Sequence, residues 1–73
     1  MNQSQKMKLL QAALTHHQGA YQRHQANLEV YLENPVGVGE HQDLVEEVVT
    51  LTQKIAEANE NVLMVQKLIE ELA

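Results

Sequence analysis

The sequence predicts an all-α protein, an antiparallel two-helix hairpin of coiled-coil character that assembles into a four-helix bundle or a larger oligomer. Three observations predict it. An apolar seam of heptad spacing runs unbroken through the second half of the chain, the first half keeps the same rhythm, and the one proline and two of the three glycines fall together between them. The 73 residues then form a single domain, with a first helix over about 4–33, a turn at 34–39 and a second helix over about 40–72.

The first helix starts from a stretch, Ser4 to Glu33, that contains no proline, and its seam is Met7, Leu10, Leu14, His17, Tyr21, His24, Leu28 and Tyr31. Alternating steps of three and four hold these residues on one stripe, because the helix turns once in 3.6 residues. In the turn, Asn34 ends the first helix, Pro35 forbids its continuation, and Gly37 and Gly39 allow backbone angles closed to other residues. The second helix carries Leu44, Val48, Leu51, Ile55, Ala58, Val62, Val65, Ile69 and Leu72 at the 3.5-residue period of a supercoiled seam. Glu40 and Asp43 suit the partial positive charge at its N-terminus.

Folding the chain back at the turn pairs positions whose numbers sum to 75 or 76. Leu28 then faces Val48, His24 faces Leu51, Tyr21 faces Ile55, His17 faces Ala58, Leu14 faces Val62, Leu10 faces Val65 and Met7 faces Ile69. The two registers mesh over four heptads without a slip, and the bulky His17 meets the smallest residue of the opposite seam.

A lone hairpin buries one stripe of each helix, yet Val45, Val49, Ala56 and Leu63 form a second apolar stripe beside the second seam, and Leu9, Ala13 and Ala20 flank the first. That arc is wide enough for a bundle. A core of this size rarely supplies more than about 3–5 kcal/mol by itself, so a homo-oligomer is expected, most simply two hairpins related by a twofold axis. Ala12, Gly19 and Ala26 recur every seven residues, either to admit a close neighbour or because a helix tolerates them.

Composition removes several functions. Without cysteine there is no disulfide and no thiolate metal site. A net charge of −5 argues against nucleic acid as a partner. The longest purely apolar run, Val62-Leu63-Met64-Val65, is far short of the roughly 20 residues that cross a bilayer, and no signal-peptide core follows Met1. A cytoplasmic protein without a membrane partner is expected. Charge is divided unequally: Lys6, Lys8 and Arg23 against Glu29 and Glu33 give the first helix +1, whereas Lys54 and Lys67 against eight carboxylates give the second −6.

Four histidines raise the question of a metal, but none stands three or four residues from another, the spacing that puts two ligands on one helical face. His17 and His24 are two turns apart, about 10.5 Å at 1.5 Å per residue. Their seam positions beside Tyr21 suit a different task, hydrogen bonding to the tyrosine hydroxyl or to a partner chain and fixing the pairing register, with protonation at lower pH loosening the bundle. Catalysis has no candidate: Ser4, Thr15, Thr50 and Thr52 have no base and orienting acid converging on them, and the paired carboxylates lie on a solvated face. The expectation is no enzyme, no cofactor and no metal site. The functional residues are instead the seam, Leu10, Leu14, His17, Tyr21, His24, Leu28, Val48, Leu51, Ile55, Val62 and Ile69, and a partner-binding loop of Asn34, Pro35, Gly37, Gly39, Glu40 and His41. The Gly-x-Gly of that loop resembles a phosphate cradle, but no Lys or Arg follows it and Glu40 would repel an anion.

The segment Tyr31-Leu32-Glu33-Asn34-Pro35-Val36-Gly37-Val38-Gly39-Glu40-His41, with Asp43-Leu44-Val45-Glu46-Glu47 after it, resembles short accessory proteins of T-even-like tailed bacteriophages. The resemblance covers about half the chain and is most specific in the Asn-Pro-x-Gly-x-Gly-Glu-His core. It implies a small phage-encoded accessory protein in the cytoplasm of the infected cell or in the virion, and carries no active site. The functional expectation is a self-associating structural or protein-interaction module. Its alternatives are a counter-defence protein that binds a host protein as an acidic mimic or sequesters a small signalling ligand, and a virion assembly component, so that a host or phage protein is the further partner expected.

Overall fold

The structure is a computed structural model and describes residues 1–34 and 43–73. Two helices account for nearly all of them: α1, Gln3–Glu33, and α2, Leu44–Leu72. Among the described residues there is no strand.

Each helix begins at a side-chain cap. The Asn2 carboxamide oxygen accepts the Gln5 amide at 2.9 Å while the Gln5 side chain accepts the Asn2 amide at 3.1 Å, a reciprocal capping box. Asp43 Oδ1 accepts the Glu46 N–H at 3.1 Å, and Glu46 and Glu47 place two carboxylates in the first turn of α2. Because Asp43 holds extended backbone as the cap, α2 starts at Leu44 and not at about 40. At the other end of the connection Asn34 leaves the helical region, with its N–H still donating to the Val30 carbonyl. Of the loop residues expected to bind a partner, Asn34 is exposed, and Pro35, Gly37, Gly39, Glu40 and His41 lie outside the described residues.

The helices of 31 and 29 residues would each run about 45 Å at 1.5 Å per residue, and the molecule measures 54 × 17 × 15 Å, so they lie side by side. Gln3 Nε2 donates to the Leu72 carbonyl, tying the first turn of α1 to the last turn of α2. Those two residues sum to 75, the register read from the sequence. Within the seam, Leu51, Ala58 and Val65 of α2 and Tyr31 of α1 are buried, and Leu10, Leu14, His17, Tyr21, His24, Leu28, Val48, Ile55, Val62 and Ile69 are half-buried. The all-α hairpin expected from the heptads is the observed fold. The seam ends at Leu44, the first residue of α2, which stays 50% exposed.

Tyr31 closes the core at the turn end, and its hydroxyl is buried with no hydrogen-bond partner among the described residues. Desolvation raises its pKa above the ordinary 10.0, and the Glu47 and Asp43 carboxylates push the same way. A folded-state value above the unfolded one gives stability that is complete below about pH 10 and is lost as pH rises through the folded value. The thermal midpoint is therefore expected to drop as pH rises above about 10, and less in Tyr31→Phe than in wild type. Parallel curves for the two proteins would show that the phenol is not sheltered.

Candidate functional site

Packing two helices leaves two flanks, and the sequence has made them chemically different. One flank is lined by amides. Gln18, Gln22, Gln25 and Asn59 surround Tyr21 and Val62 in a groove of about 490 Å³. Beside it, Leu28, Thr52, Ile55 and Ala56 join Tyr21, Gln25 and Asn59 around a second groove of about 370 Å³. Among the described residues no charged side chain lines either groove. Ala56 belongs to the stripe Val45, Val49, Ala56 and Leu63, whose larger members are 72%, 46% and 55% exposed in that order.

The opposite flank is charged at its middle. His16, His17, Ala20, Arg23 and His24 of α1 and Lys54, Glu57, Ala58 and Asn61 of α2 line a cleft of about 260 Å³. The rings of His16 and His17 meet edge to face with centroids 5.3 Å apart. Further along, towards the chain termini, the same flank becomes apolar, and Met1, Leu9, Leu10, Leu68 and Leu72 line a hollow of about 470 Å³ with Lys6 and Glu71.

This division corrects the expected pairing of Tyr21 with the seam histidines. Tyr21 faces the amide flank while His17 and His24 face the other, and among the described residues no hydrogen bond joins them. Tyr21 shares a groove with Ile55, and His17 shares a cleft with Ala58, as the register requires. Arg23, Lys54 and Asn61 were not singled out by the sequence reasoning, although two signals place the first two: His16 and Arg23 stand seven apart, as do His17 and His24, and Arg23 and Lys54 nearly satisfy the cross-helix sum.

Among the described residues no three His, Cys, Asp or Glu side chains are grouped so as to hold a metal ion. No helix is long and apolar enough to cross a membrane, again among the described residues. Gly19 has nothing within 4 Å of where a Cβ would stand, so no close contact within the hairpin requires a glycine there. Comparison with protein-family models, curated proteins and solved structures finds no match to the chain.

Proposed function

We propose that this chain is a non-enzymatic, phage-encoded structural or protein-interaction module that works as a self-associated hairpin, two copies packing their amide flanks into a four-helix bundle. The observation that carries this reading is the exposed stripe on α2. Val49 and Leu63 lie seven residues either side of Ala56, so a twofold axis at Ala56 sets Val49 of each copy against Leu63 of the other. The small Ala56 lets the helices approach at the axis. Because no charge lines the neighbouring grooves, covering them removes no ionised group from water.

Surface area supports it. The chain exposes 5593 Å², against about 4,600 Å² for a compact monomer of 8.3 kDa. Two copies merged into one compact body would bury roughly 3,600 Å², within the about 2,000–5,000 Å² of obligate homodimers. The carboxylates on the outer face of α2 stay free for a further partner.

Light scattering is expected to give about 16.6 kDa, twice the chain mass of 8.3 kDa. Leu63→Asp should shift the mass to that of one chain, and Ala56→Cys should yield a disulfide-linked dimer under mild oxidation while Ala12→Cys, on the outer face, should not. A wild-type protein monomeric at millimolar concentration would end the proposal.

A further inference from the structure

The charged middle of the second flank has no role in that assembly. We infer that the cleft between His16, His17, Arg23 and His24 of α1 and Lys54 of α2 binds a small anion carrying more than one phosphate-type charge. Of the five Lys and Arg in the chain two stand here, together with three of the four histidines, although the chain as a whole carries −5. They come from both helices, so a ligand would be held from two sides.

The donor set matches phosphate chemistry. A guanidinium offers a planar fork of N–H groups to two oxygens, an ammonium adds a mobile point charge, and imidazoles donate N–H bonds. Among the described residues neither Arg23 nor Lys54 makes an ion pair, so both donors are available. Glu57 is the one carboxylate on the cleft and opposes an anion. A cleft of about 260 Å³ has room for a di- or triphosphate group. The inference does not depend on self-association, because the proposed interface uses the other flank.

Isothermal titration of the full chain with inorganic triphosphate near pH 6.5, at constant ionic strength, tests it. Saturable binding is expected, at least tenfold weaker in the double variant Arg23→Gln/Lys54→Gln and several-fold tighter in Glu57→Gln. Lys67→Gln, on the outer face of α2, should bind within about twofold of wild type. Circular dichroism of each variant checks folding, which substitutions at these exposed positions should leave intact. No binding by wild type, an equal loss in Lys67→Gln, or no gain in Glu57→Gln would each overturn the site.

Discussion

Ile55→Pro unfolds the protein: far-ultraviolet circular dichroism of the purified variant is expected to lose most of its helical signal. Ile55 lies in the interior of α2 and is half-buried in the seam. Proline there removes one backbone N–H bond and drives its ring into the carbonyl of residue 51, costing about 3 kcal/mol or more. The total available to a core of this size is of the same order, about 3–5 kcal/mol before any association. The substitution also separates the two halves of an unbroken helix, so the seam beyond it loses register with α1. A variant that keeps wild-type helicity would mean that α2 tolerates a break at its centre, and the hairpin would have to be abandoned.

Leu51→Ala is expected to be the most damaging of the conservative truncations, at about 2–5 kcal/mol. Leu51 is 7% exposed, buried in the seam, where the register sets His24 opposite it, so the lost methyl groups leave a space that neither helix can collapse into. Leu32→Ala provides the control. Leu32 is 61% exposed on α1, and its truncation should move stability by about 0.5 kcal/mol or less. In thermal melts at equal chain concentration the first variant should fall by at least about 10 °C and the second by a few degrees at most. Equal shifts would show that burial along the seam does not decide stability.

The fold was legible because heptad spacing is an intrinsic property of helical geometry and survives whatever surrounds it. Nine apolar seam positions in α2, and a register in which Gln3 meets Leu72, leave one way to lay the helices together. The start of α2 was less legible. Glu40 and Asp43 both suit a helix N-terminus, and the sequence does not say which acid leaves the helical path to cap it. The charged cleft was missed for a different reason. Metal-ligand spacings of three and four look for groups converging within one turn, whereas His16 and Arg23 stand two turns apart and are joined by Lys54 from the facing helix. The pairing of Tyr21 with His17 and His24 failed because neighbouring seam positions alternate between the flanks, which a list of seam residues does not record.

The buried ring at the turn end also sets an order of events. Tyr31 and Glu47 stand 16 residues apart along the chain, whereas the bond between Gln3 and Leu72 closes 69. Bringing the distant pair together first costs about 1.3 kcal/mol more in chain entropy than starting at Tyr31. Each layer formed at the turn holds the next within reach, so chain entropy favours closure from the phenol ring towards the termini, and the Gln3–Leu72 clasp is the costlier of the two contacts to close first.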